Sequence, residues 1–254
     1  MKNKASILLL LLFAFTAGKG QDFITRVKIK FEKKINLKAA LRSQQAIDEE
    51  LLEQFPKYDI SYYSFLYAGN TSLYHFEKEG AKDEEGSQNF SMSHYQDAAL
   101  FMNYGTGMAT TKKSLFGEEH IIQDSIKAVK WRITQETRTI AGYECRKAIG
   151  RIHDSIYIVA FYCEQLVMKA GPEGIQGLPG MILGMAIPRY YTTWFATKVE
   201  LANIDESKIV PPSKGKKLSK KELAAWLVKK YKEMGKKDIT EEKVEGEMAI
   251  GYLL

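Results

Sequence analysis

The sequence predicts an α+β, β-dominated fold built on one antiparallel sheet, and three observations point there. Short apolar-alternating runs recur along the chain between turn residues. Such regular short strands with turns between them make a meandering antiparallel sheet. Only two segments carry helical spacing, and both flank the β-rich stretch.

In order, Ile24 to Phe31 alternates, with Val27, Ile29 and Phe31 on one side and Lys28, Lys30 and Glu32 on the other. A helix is expected from Leu37 to about Phe55, with Leu41, Ile47, Leu51 and Phe55 as its apolar stripe. Ile60–Leu66 and Leu73–Phe76 read as strands about a turn at Ala68-Gly69-Asn70. Glu77 to Gln88 is charged and poorly periodic, hence an exposed loop. Further strands are expected at His94–Tyr95, Ala109–Leu115, His120–Gln123, Val129–Thr134, Tyr143–Ala148, Ile156–Tyr162, Met181–Ile187 and Thr192–Leu201. Pro211-Pro212 and Gly215 mark a linker, and Ser219 with Glu222 three residues on is a capping box. It opens a helix closed by Gly235, with Leu223, Trp226, Leu227, Tyr231 and Met234 as its apolar stripe. The expected organisation is therefore a leader (1–20), a β-rich domain (21–210), and a linker, basic helix and tail (211–254).

Lys2 and Lys4, the apolar run Ile7–Phe15 and the small residues Ala17, Gly18 and Gly20 have the order of a secretory signal peptide, cleaved near Gly20. The run is short of the roughly 20 residues that span a bilayer, and no later stretch is apolar enough. The expected product is exported, periplasmic or extracellular, and unanchored. The formal charge of +6 falls to about +3 without Lys2, Lys4 and Lys19, and the basicity is concentrated between Ser213 and Lys237. That distribution does not describe a basic nucleic-acid surface. In an oxidising compartment, two cysteines favour a disulfide. A hairpin about His153-Asp154-Ser155 places Cys145 opposite Cys163, at bridging distance. The alternative is two buried free thiols.

Trp131-Arg-Ile-Thr-Gln-Glu136, Ile140-Ala-Gly-Tyr-Glu-Cys-Arg-Lys-Ala148, Ala160-Phe-Tyr162, Gly171-Pro172 and Gly177-Leu-Pro-Gly-Met-Ile182 occur in that order. This series resembles the signature of the GLPGLI family of exported Bacteroidetes proteins, with Met181 in place of the usual leucine. The resemblance runs from about Ile24 to Lys232. It implies export and no established activity. A more distant similarity, in the turn-Gly-Tyr-x-Cys-x-Lys pattern, is to half-barrel carriers related to periplasmic lipoprotein chaperones. That similarity implies a curved, half-open sheet covered by one or two helices around an apolar cavity.

In physical terms, Gly177, Leu178, Pro179 and Gly180 form a conformationally pinned turn that delivers Met181–Leu183 into the sheet. It is either a structural corner or a binding loop. Trp131 and Tyr143 are either core aromatics or ligand platforms. The four histidines His75, His94, His120 and His153 lack ligand spacing, so no metal is expected. There is no nucleophile elbow or phosphate loop, and no cofactor is expected. Asp124-Ser-Ile126 and Asp154-Ser-Ile156 resemble an O-glycosylation pattern at Ser125 and Ser155. The expected function is a non-catalytic binding or carrier-like protein for an apolar small molecule, lipid or apolar segment. The alternative is an accessory module docking on an outer-membrane partner through its basic helix, with an unrecognised hydrolase third.

Overall fold

The computed structural model describes residues 26–43, 47–80, 98–126, 128–152, 156–201, 203–235 and 238–244. The leader, Ser155 with its turn, and His94–Tyr95 lie outside them.

The strands are β1 (Val27–Asn36), β2 (Tyr58–Ala68), β3 (Thr71–Glu79), β4 (Ala99–Asn103), β5 (Met108–Leu115), β6 (Glu118–Ser125), β7 (Lys130–Ile140), β8 (Tyr143–Ile152), β9 (Ile156–Cys163), β10 (Met181–Ile187), β11 (Thr192–Glu200) and β12 (Lys216–Ser219). The helices are α1 (Leu37–Ser43), α2 (Glu49–Leu52) and α3 (Lys220–Glu233). All twelve strands join one sheet in the order β12-β6-β5-β4-β3-β2-β1-β11-β10-β9-β8-β7. The two runs of hairpins meet where β1 pairs with β11. β12 alone is parallel, along β6.

The ladder registers define one inner face. Ile122, Thr111, Leu100, Tyr74, Phe65 and Ile29 are successive cross-strand partners from β6 to β1. Lys33, four residues beyond Ile29 on the same strand face, opposes Trp194. Met185, Ala160 and Ala148 continue that row into β8. The sheet curls about this face. Ile122 of β6 and Ile152 of β8 line the same small cavity. Nine strand spacings separate β6 from β8 in the sheet order, so a flat sheet would hold them roughly 43 Å apart. The result is an open, barrel-like curve.

Much of its interior is filled. Phe31, Phe65, Tyr63 and Tyr74 pack with Leu166, Met168, Met181 and Leu183 in one cluster. Tyr74 stacks on Tyr63 at 4.8 Å and meets Phe31 edge-on. Leu166–Ala170 belongs to the long 164–180 connection between β9 and β10, which turns inward.

Three elements differ from expectation. The helix expected over Leu37–Phe55 is two short pieces, because Asp48 is extended (φ −68°, ψ 151°). Arg42 and Glu49 join them through paired hydrogen bonds of 2.8 Å. The expected stripe is also displaced, since Leu51 is exposed and Leu37 and Leu52 are buried. These helices bridge the ends of β1 and β2, where Leu37 N–H donates to the Lys57 carbonyl. β3 runs on to Glu79, into the segment read as a loop from Glu77. Finally, the segment after Pro212 does not trail from the sheet: Lys216–Ser219 pairs with β6. α3 then buries Leu223, Ala224 and Leu227 against Leu115 and Ile122. The Ser219–Glu222 capping box forms as expected. Short polar side chains and lysines hid β12 because parallel pairing uses backbone groups, not an apolar pattern.

Candidate functional site: a loop-walled cleft with a buried charged centre

The 164–180 connection forms one wall of the site, and the singled-out residues hold it in place. Gly177 has φ +102°. A Cβ on Gly180 would lie 2.1 Å from the Cys163 carbonyl oxygen, so only glycine lets the turn press on β9. Leu178 is buried while Gly177 and Pro179 face solvent. Trp131 Nε1 donates to the Gln176 carbonyl at 2.9 Å, and its ring lies over Gly150. The returning strand closes the loop, with Met181 N–H donating to Leu166 and Ile182 N–H to Ala170. Trp131 and Gly177–Gly180 are therefore one assembly, a corner that presents the rest of the loop to the inner face. Tyr143 is half-buried against the aromatic cluster and lies apart from this assembly.

The register sets Cys145 opposite Cys163, by extension of the Arg146–Tyr162 pair. Both are buried, and both are free thiols in this structure. Burial, together with the neighbouring Cys163, pushes the Cys145 thiol up to about 12.

Two hollows flank the loop and meet at Ile126. The smaller, about 110 Å³, is walled by apolar side chains including Leu100, Met102, Ile122 and Ile152, with Thr111 and Glu173 at its polar end. Exposed Ser125 lies on it beside Asp124, whose carboxylate accepts the Ser125 N–H at 2.8 Å. The larger, about 420 Å³, is lined by Tyr67, Asn70, Tyr104, Lys169 and Gln176 among others.

Behind the smaller hollow lies a charged centre that sequence reading missed. Glu173 follows Gly171-Pro172 in a 3-10 turn and adopts the left-handed conformation (φ 54°, ψ 23°), a strained geometry for a non-glycine residue. Its buried carboxylate accepts the Trp194 indole N–H at 3.2 Å and lies 3.5 Å from the Lys33 ammonium. Lys33, 4% exposed, also sits 5.4 Å from the Trp194 ring centroid and 5.8 Å from that of Tyr63. Lys113, 6% exposed, makes no hydrogen bond or ion pair among the described residues. Burial pulls it down to about 7; Glu173 opposes that and Lys33 adds to it. Burial, then the Glu173 charge, drives the Tyr74 phenol well above its ordinary range. The Tyr74 hydroxyl makes no well-aligned hydrogen bond, because the nearby Trp194 N–H is committed to Glu173. Across from Lys113, His120 is fully buried, 4.5 Å from the Trp226 ring of α3; neither ring nitrogen makes a hydrogen bond, and Nε2 lies 4.0 Å from the Glu118 carboxylate.

A signal for this centre was present in the strand phase. Lys33 continues the inward series Val27, Ile29, Phe31, and Lys113 lies two residues beyond Thr111. No group of metal-ligating side chains occurs among the described residues. None of their helices is long and apolar enough to cross a membrane.

Residues 106–222 match the family model described as the N-terminal domain of N-glycanase peptide, just under half of the chain. No curated protein matches. Two solved structures of PNGF-II, in C2 and P21 crystals, are similar, each at 16% identity. Their TM-scores are 0.47 and 0.46, covering 82% and 83% of this chain. An uncharacterized conserved protein from Thermus thermophilus is similar over 77% of this chain and 90% of its own, with 7% identity and a TM-score of 0.40. The present chain spans about a third of the length of the PNGF-II structures (32% and 33%).

Proposed function

We propose that this chain is an exported, non-catalytic binding protein that holds a small amphiphilic ligand between the inner face of its sheet and the 164–180 loop. The observation that carries this reading is the apolar cavity of about 110 Å³, walled by both ends of the sheet and by the loop. Apolar cavities with a few convergent polar groups are where small ligands bind. The packed row of Phe31, Tyr63, Phe65 and Tyr74 leaves no room for a long chain along the sheet, so the ligand is small or inserts one short arm. Membership of the GLPGLI family and the analogy to half-barrel carriers belong to the same proposal. The test is mass spectrometry of material extracted from protein purified from its own export compartment. A ligand enriched over a loop-deleted control supports the reading. An empty extract, with no added short-chain compound raising the melting temperature, refutes it.

A second reading is a module that recognises a hydroxyl-rich ligand such as a saccharide. The 420 Å³ hollow favours it, because Tyr67, Tyr104, Asn70 and Gln176 offer aromatic faces and amide donors. The N-terminal position of the matched model within an N-glycanase supports the same idea. Docking through the basic helix would use only the lysine face of α3, since its apolar face is spent on the sheet.

A further inference from the structure

We propose that the larger hollow is a site for an acidic saccharide, a sugar ring bearing one carboxylate that pairs with Lys169. This rests on the saccharide reading above and names the ligand class of that site.

The two hollows that meet at Ile126 differ in charge. The smaller is lined by two carboxylates, Asp124 and Glu173, and by no basic side chain. The larger is lined by Lys169 and by no carboxylate. Glu206, which lies against Gly69 next to Asn70, is held by Arg26 at 2.7 Å. An anion in the larger hollow therefore meets a cation on its wall and no opposing charge.

The polar groups of this hollow are also uncommitted. The Lys169 ammonium, the Asn70 and Gln176 amides and the Tyr67 hydroxyl make no side-chain hydrogen bond or ion pair among the described residues. The ammonium and the amides offer donors to a carboxylate and to ring hydroxyls, and the amide oxygens accept from those hydroxyls. The frame that carries them is fixed. Tyr104 N–H donates to the Asn70 carbonyl at 3.1 Å, which ties the β2–β3 turn to the end of β4. The Tyr104 hydroxyl shares a 3.0 Å hydrogen bond with that of Ser72. Its ring is thereby set 5.7 Å from the ring of Tyr67 and tilted by 45°. Both rings are only half-buried, so they offer apolar faces to the C–H side of a sugar while its hydroxyls turn to the amides. On the loop, Val167 and Lys169 are exposed while Met168 and Ala170 are buried, an alternation that turns the ammonium outward. Ile182 N–H donates to the Ala170 carbonyl and holds that phase.

The volume of about 420 Å³ lies within the roughly 300–1,000 Å³ of small-molecule sites. One cation neutralises one carboxylate, whereas a dianionic phosphate would keep a charge without a partner on this wall.

The experiment is ligand-observed NMR titration of the full chain with the methyl glycosides of glucuronic acid, glucose and 6-amino-6-deoxyglucose. These differ only in carrying a carboxylate, a hydroxymethyl or an aminomethyl group. At low salt the glucuronide is expected to bind about two- to fivefold more tightly than the glucoside, as an exposed ion pair allows, and the amino sugar more weakly than both. In about 1 M salt that preference should fall to near one, because the pair is open to solvent. Lys169→Met should abolish the preference and leave glucoside binding in place. The salt dependence of the unaltered protein is an independent readout should the variant fold poorly. A glucuronide that binds no more tightly than the glucoside, or a preference that survives in Lys169→Met, would overturn the acidic assignment and leave the saccharide reading standing. If none of the three binds, both are refuted.

Discussion

Replacing Lys113 with methionine, which keeps the length of the side chain and removes its charge, should change how stability depends on pH. The folded ammonium loses its proton at about 7, against an ordinary value of 10.5. Above 10.5 neither state carries the proton, and Lys113 contributes nothing. Between 10.5 and 7 the unfolded chain binds a proton that the folded chain does not, so stability falls as pH falls. Below 7 both states are protonated and the cost is constant, at about 5 kcal/mol from 1.36 kcal/mol per pH unit. About 2 kcal/mol of this lies between pH 7 and pH 9. That window avoids the buried phenols of Tyr74 and Tyr104, both raised by burial, which affect stability only at higher pH. Urea unfolding at the two pH values is the assay. The unaltered protein should gain about 2 kcal/mol more than Lys113→Met on going from pH 7 to pH 9, and the variant should be the more stable at pH 7. Parallel pH profiles for the two proteins would refute the placement of a buried, unpaired lysine in the sheet's interior.

Gly180→Ala forces a Cβ against the Cys163 carbonyl and should cost about 3 kcal/mol in denaturant unfolding; a loss under about 1 kcal/mol would show that the turn can yield. Trp131→Phe keeps a ring over Gly150 but loses the bond to the Gln176 carbonyl. It should cost about 1 kcal/mol and speed hydrogen exchange at the Met181 and Ile182 amides. His120 is held below its ordinary value by burial, so the unfolded state takes up its proton first as pH falls through about 6.5. His120→Phe should therefore lose less stability than the unaltered protein between about pH 7.5 and pH 5. In oxidising buffer, Cys145 and Cys163 should form one intramolecular bridge, read by peptide mapping without reductant; persistent free thiols in protein from its export compartment would refute it.

Legibility followed periodicity. β1, β5, β8, β9 and β11 were readable because alternation reports burial on one face of a strand, whereas β6 and β10 were readable as short apolar runs between turn residues. The hairpin register between Cys145 and Cys163 was readable because only three residues separate β8 from β9, which leaves few ways to pair them. α3 was readable from its capping box. β4 escaped because Ala99–Asn103 is five residues long and without clear alternation. The early helix was overextended because spacing alone does not reveal the extended Asp48.

Of the candidate site, the sequence by itself determined the pinned loop. Gly177, Pro179 and Gly180 restrict local backbone angles, and those restrictions are visible residue by residue. It also determined the strand phase that turns Lys33 and Lys113 inward. Only the tertiary structure decided that β6 and β8, at opposite ends of the sheet, line one cavity with Glu173 at its polar end, and that Lys113 has no ion pair there. Sheet curvature and the descent of a 17-residue connection are set by the joint packing of distant strands. No local pattern encodes those contacts, because the residues that meet are far apart in the chain, Lys33 and Glu173 by 140 positions.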